Sequence, residues 1–121
     1  MAVVVERTFT IERGKMREFE RISREAIWPY MEARGCKILG LYTNMHGGPT
    51  DDVILYTAYD SMAHWENTRL NLDPPGDDPK LKALQKAALS GSQDRQVITI
   101  RSSTRVLNPI TRWVDIPVFP G

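Results

Sequence analysis

The groups in this chain best suited to acid–base or metal chemistry are few. The loop "MHGGPTDD", residues 45–52, puts a histidine, two glycines, a proline and two adjacent carboxylates side by side. His46 with Asp51 and Asp52 has the donor types of a metal site. The other histidine, His64, lies 18 residues away, which matches no short zinc signature, and neither H-x-H nor H-E-x-x-H occurs. The loop therefore reads first as a hairpin turn, with no metal and no cofactor expected. His46 and His64 stay on as candidate catalytic groups, because imidazole titrates near neutral pH. Cys36 is the single cysteine; with no C-x-x-C and no paired histidine it reads as a small buried residue. G-x-S-x-G, a phosphate loop and a dinucleotide fingerprint are all absent from the sequence.

A second set has the character of a small-molecule pocket: Arg7, Phe9, Tyr42, Tyr59 and Trp65. Arg7 and Phe9 share strand parity with Val3, Val5 and Ile11. With that face covered, Arg7 is a buried cation and needs a partner. A structural pairing with Asp60 or Glu6 of either subunit is expected. The alternative is an anionic substrate group, which a guanidinium grips in bidentate fashion. Tyr42 and Asn44 share a face with His46, and Tyr56 has the opposite parity to Tyr59. Trp65 either packs under its helix or joins His64 at a cavity mouth. An apolar cavity with a few polar tips is ordinary ligand-pocket chemistry; core tyrosines with satisfied hydroxyls are the competing reading.

The elements that must position these residues are legible from periodicity. Residues 2–11 are rich in β-branched side chains and read as a strand. From Met16 to Met31 the apolar residues fall on one helical stripe, with a kink expected at Pro29 and an end at Gly35. Residues 36–45 and 52–60 read as a hairpin of strands. Asp60 or Ser61 caps a helix "MAHWENTRLNL", and "DPPGDDP" ends it. A short helix over 80–90 follows, then a break at "SGSQ" and a last strand over 95–107. The order β-α-β-β-α-β, with a split second helix, is the ferredoxin-like order: α+β, with a four-stranded antiparallel sheet. The strands carry apolar residues on both faces, so both faces must be covered. The helices cover one. A second copy of the sheet is the economical cover for the other, which gives a homodimeric α/β barrel enclosing a small cavity.

At 121 residues one domain is expected, over 1–108, with a tail over 109–121 whose Trp113, Val118 and Phe119 could pack on the dimer partner. A net charge of +1 with scattered Lys and Arg shows no basic stripe, which argues against nucleic acid. No apolar run approaches a membrane span, and "MAVVVERTF" lacks the basic start of a signal peptide. A cytoplasmic location fits the lone cysteine.

The pieces together resemble the NIPSNAP family, one branch of the dimeric α/β-barrel superfamily. "ERTFTIERGKMREFE" carries Arg7, Thr8, Phe9, Gly14, Glu18 and Phe19 at the places of that family's opening strand, glycine and helix. "WPYMEARGCKILGLY" supplies Pro29, Gly35 and Gly40; "GPTDDVILYTAYDSMA" supplies Gly48, Asp51, Val53, Tyr59, Asp60 and Ser61. "TRVLNPITRW" is similar to the proline-containing end of the family's last strand. The resemblance spans roughly residues 3–112. It departs in the third strand, where the family often has a histidine and a tryptophan and this chain has Leu55 and Thr57. What the resemblance implies is a homodimer of undefined activity that binds a small, partly apolar molecule between sheet and helices. The superfamily also holds cofactor-independent monooxygenases, isomerases and haem-binding proteins. By that analogy the alternative is an oxygenase or isomerase acting on an aromatic or polyketide-like substrate, with His46 or His64 as base, and haem would need one of those histidines as axial ligand.

Overall fold

Period-two alternation along the first strand organises the fold. The computed structural model describes residues 2–111. Strand β1 (Val3–Ile11) lies inside a four-stranded sheet of order β2-β3-β1-β4, where β2 is Lys37–Thr43, β3 is Asp52–Tyr59 and β4 is Thr99–Leu107. Every pairing is antiparallel. Helices α1 (Met16–Ile22) and α2 (Trp28–Ala33), α3 (Met62–Asn67) and α4 (Pro79–Val97) complete the β-α-β-β-α-β order. This is a ferredoxin-like α+β fold. None of the helices among the described residues is long and apolar enough to cross a membrane.

The odd residues of β1 and β3 face the helices. Val5, Phe9, Ile11, Val53, Leu55 and Tyr59 are buried there. Two apolar clusters result. The larger gathers Phe9, Phe19, Ile22, Ile27 and Leu55; the smaller gathers Val5, Cys36 and Tyr59, with Trp65 packed on it. The even residues form the other face, where Val4 pairs with Ala58 and Leu107, and Thr8 with Ile54. Burial alternates strictly along β3, yet polarity does not, since Ile54, Tyr56 and Ala58 occupy the half-exposed positions. Glu6 on this face accepts from Tyr56 Oη at 2.6 Å and from Arg105 Nη2 at 2.7 Å.

Three elements differ from the sequence reading. The kink expected at Pro29 is instead a π-helical segment, Ser23–Ile27, between α1 and α2. A wider turn ahead of the proline frees the carbonyl its ring would strike. Ser23 closes the segment's start by donating to the Phe19 carbonyl at 2.8 Å. The helix assigned to 80–90 runs on to Val97, so the last strand starts at Thr99 rather than 95. "SGSQ" does not break it because Gly91 is where α4 meets the π segment: a Cβ there would lie 2.6 Å from the Ala26 Cβ. Its buried stripe, Gln85, Ala88, Gly91 and Arg95, is small and polar rather than apolar, which hides it from hydrophobic periodicity. Finally, the register of β2 on β3 slips between Ile38 and Gly40. This bulge turns Tyr42 away from the helices and onto the face it shares with Tyr56. The tail anchors Trp113, Val118 and Phe119 lie outside the described residues.

Two outcomes follow. Gly91→Ala should destabilise the protein by about 1–3 kcal/mol through overpacking, and Ala26→Gly should recover part of the loss. Additive losses in the double variant, measured by chemical denaturation, would contradict the close approach. The Glu6 carboxyl is held below its ordinary range, first by the Tyr56 hydroxyl and then by Arg105. A folded pKa below the unfolded one stabilises at pH above the unfolded value, and that stabilisation is lost as pH falls through the folded value. Glu6→Gln should therefore flatten the acid limb of the stability–pH curve; an unchanged limb would contradict it.

Candidate functional site

Between the two apolar clusters lies a polar belt. Arg7 follows Val5 and precedes Phe9 on the helix-facing side of β1, so it enters the layer between sheet and helices. Its strand neighbours there are Leu55 and Thr104. Buried Thr57 sits next to it on β3, opposite Val5. Arg95 comes down from α4 and is 6% exposed. Arg69 enters from the irregular stretch that follows α3.

Aromatic faces and a few hydroxyls hold these guanidinium groups. Arg7 lies 4.6 Å from the Phe9 ring centroid, and Arg95 lies 4.7 Å from the same ring and 4.9 Å from Phe19. Such contacts stabilise a cation modestly. Arg95 also donates to Ser23 Oγ at 3.0 Å, which ties α4 to the π segment. Arg69 stacks 4.4 Å over Trp65, donates to the Trp65 carbonyl at 3.0 Å, and donates to Tyr59 Oη at 3.2 Å. Two buried donors in the belt, Arg7 Nε and Trp65 Nε1, have no hydrogen-bond partner among the described residues.

The electrostatics follow from burial and like charge. Burial, and then the charge of Arg69, pull Arg7 below the ordinary arginine value. Burial, and then the charge of Arg7, pull Arg95 down to about 10. Burial pushes the Tyr59 hydroxyl up to about 12, with the Cys36 thiol beside it adding to the effect. The Cys36 thiol is itself pushed up by burial, so it is no ready nucleophile. The belt thus holds positive charge, neutral hydroxyls and aromatic faces.

Arg7, Phe9, Tyr59 and Trp65 all lie on the helix-facing side of the sheet, Phe9 in the larger apolar cluster and Tyr59 and Trp65 in the smaller. Tyr42 does not: it lies on the opposite face, edge-on to Tyr56 at 5.9 Å, 53% exposed. His46 is exposed in the hairpin turn. That turn is held by Gly47 at φ +86° and by Asn44 Nδ2 donating to the Pro49 carbonyl at 2.8 Å. Thr10 Oγ1 donates to Asp52 at 2.6 Å, so this carboxylate closes the turn against β1. Among the described residues, no three His, Cys, Asp or Glu side chains are grouped to hold a metal ion. His64 is engaged at both ring nitrogens. Nδ1 accepts from the Asp60 N–H at 3.0 Å, so Nε2 carries the proton and donates to the Arg34 carbonyl at 2.7 Å. The ring pins the end of α2 to the start of α3. The helix-ending Gly35, at φ +85°, leaves it room: a Cβ there would press on the ring at 3.2 Å.

The carboxylate expected for Arg7 is not found among the described residues. Glu6 points to the other face, as its neighbouring parity demands, and Asp60 is exposed beyond the strand end. Arg69 and Arg95 escaped the sequence reading. Arg95 would have declared itself had the helix been followed past Gly91, since it then falls on the buried stripe with Gln85 and Ala88. Nothing local marks Arg69, which enters the layer from irregular backbone.

Two surface grooves lie elsewhere. One, of about 470 Å³, runs between α1, the π segment and α4; the other, of about 450 Å³, adjoins Asp73, Asp77 and Gln85. The first mixes Glu18, Glu25 and Asp94 with Arg21, and Arg21 is already paired with Glu25. The belt is the stronger candidate because Arg95 is buried, Arg7 and Arg69 are half-buried, and none of the three forms an ion pair among the described residues.

The NIPSNAP family model matches residues 4–103. None of the curated proteins matches the chain. Among solved structures the chain is similar to a NIPSNAP family protein from Agrobacterium tumefaciens, at 24% identity and a TM-score of 0.70, over 90% of this chain and 93% of that one. A NIPSNAP domain protein from Burkholderia xenovorans aligns at 22% identity and a TM-score of 0.61, over 88% and 93%. SnoaB, a cofactor-independent oxygenase from Streptomyces nogalater crystallised as the mutant N63A, aligns at 9% identity and a TM-score of 0.58, over 93% and 96%. At these identities the structures share the fold, while the family model covers most of the sequence: the chain belongs to the NIPSNAP family.

Proposed function

We propose that this protein is a homodimer that binds a small, partly apolar molecule between sheet and helices, beside Arg7, Phe9, Tyr59 and Trp65. One observation carries the reading: Arg7 Nε and Trp65 Nε1 are buried without partners among the described residues, in one layer with aromatic rings. Each such donor costs free energy until something accepts from it. A ligand with an acceptor and an apolar body satisfies both and fits the chemistry of small-molecule sites.

The second copy is proposed for the other face of the sheet. Val4, Ile54, Ala58 and Leu107 and the Tyr42–Tyr56 pair put half-exposed apolar surface there, with the Glu6–Arg105 ion pair set into it. Such a patch calls for a partner, and an identical patch on a two-fold mate is self-complementary.

The same fold carries an oxygenase in Streptomyces nogalater. For this chain the geometry favours binding over base catalysis by histidine. His64 has both nitrogens committed to backbone, and His46 stands in an exposed turn. For the same reason neither histidine fits as an axial ligand to a haem in this layer.

Light scattering after gel filtration should give the mass of two chains, and Ile54→Arg should reduce it to one while the circular dichroism stays native. A single-chain mass for the unaltered protein would contradict the dimer. In a thermal-shift screen of small aromatic compounds, at least one should raise the melting temperature, and Trp65→Ala should abolish that rise. A screen without a hit, or hits indifferent to Trp65→Ala, would remove the pocket.

A further inference from the structure

Arg7, Arg69 and Arg95 arrive in one layer from β1, from the loop after α3 and from α4. Among the described residues no carboxylate forms an ion pair with any of the three. Nearby acids are committed elsewhere. Glu6 holds Arg105 and Tyr56 on the far face, Asp52 holds Thr10, and Glu20 and Glu25 hold arginines of their own helical run. Buried guanidinium groups are ordinarily paired within the protein. Here the compensation is the Phe9, Phe19 and Trp65 rings and three neutral acceptors, Ser23 for Arg95 and the Trp65 carbonyl and Tyr59 hydroxyl for Arg69, which soften the charge without neutralising it.

We propose that this layer binds the anionic group of a small organic acid with an apolar or aromatic body, the acid group facing Arg7 and Arg69 and the body lying against Trp65. The inference rests on the small-molecule reading above and adds the charge of the ligand. A carboxylate suits the site because its two oxygens match the fork of a guanidinium. Arg95, held behind Phe9 by Ser23, contributes positive potential without touching the ligand. Arg69 sits on irregular backbone between α3 and α4, the part of the wall that opens at least cost to regular structure.

The full-length protein is titrated calorimetrically with benzoate, with its neutral isostere benzamide and with inorganic phosphate. Benzoate should bind saturably, with benzamide at least about tenfold weaker. Arg7→Met should weaken benzoate about 10- to 100-fold. The same substitution should raise the melting temperature of the ligand-free protein, because it removes a half-buried charge that has no ion pair among the described residues; a structural arginine would lower it. Equal binding of benzoate and benzamide overturns the acid and leaves the pocket standing. Phosphate binding without benzoate overturns the organic body. No binding of benzoate or benzamide overturns both the acid and the pocket for this chemistry. Benzoate binding indifferent to Arg7→Met, or a large fall in melting temperature on that substitution, shows that Arg7 serves the fold and overturns the proposal.

Discussion

The register of β1 is the constraint on which the rest of the molecule depends. This strand is paired on both sides, so its alternation fixes what enters each face of the sheet. Odd residues go to the helices and take Arg7 with them between Val5 and Phe9. Even residues go to the other face and take Glu6 away from Arg7 and toward Arg105. One period-two rule thus separates the chain's natural ion pair, leaving a cation inside and its neighbouring anion outside. A slip of one residue would reverse both placements and expose the core.

The helical layer is built to tolerate that separation. The π segment turns Ser23 toward α4, and Ser23 takes a donor from Arg95. Gly91 lets α4 come against Ala26, which brings Arg95 down onto the Phe9 ring. His64 locks α2 to α3 and leaves Arg69 to enter beyond it. Packing of this kind runs against the ordinary preference for an apolar layer. Three arginines repel one another, and their rings and hydroxyls compensate only in part. Proteins keep such features chiefly where the site has work to do, since stability alone favours their removal.

Much of the architecture was legible in the sequence because it is written in periodicity. The strand at 2–11, the helical stripe from Met16 to Met31, the hairpin around Gly47 and the Ser61 cap all stand where their patterns place them. The four-stranded order followed from that succession. The end of α4 was hidden because its buried stripe is glycine, alanine, glutamine and arginine, and glycine in mid-helix reads as a break. Half of the candidate site was legible for a related reason. Arg7, Phe9 and Tyr59 lie on regular strands, where parity names their face, and Trp65 on a capped helix. The face of Tyr42 was not legible, because a bulge at Leu39, a backbone event with no side-chain signature, sets it opposite Arg7. Arg69 and Arg95 needed tertiary knowledge: one sits on a loop, the other beyond an apparent helix end.

The central claim is that the charge on Arg7 is answered by a ligand and not by the protein. A crystal structure of the purified protein tests this most directly, through what lies within hydrogen-bonding reach of the Arg7 guanidinium. The expected result is the acid group of a bound small molecule between Arg7 and Arg69, its body against Trp65. An aspartate or glutamate in bidentate contact with Arg7, from the same chain or from its dimer mate, would contradict it.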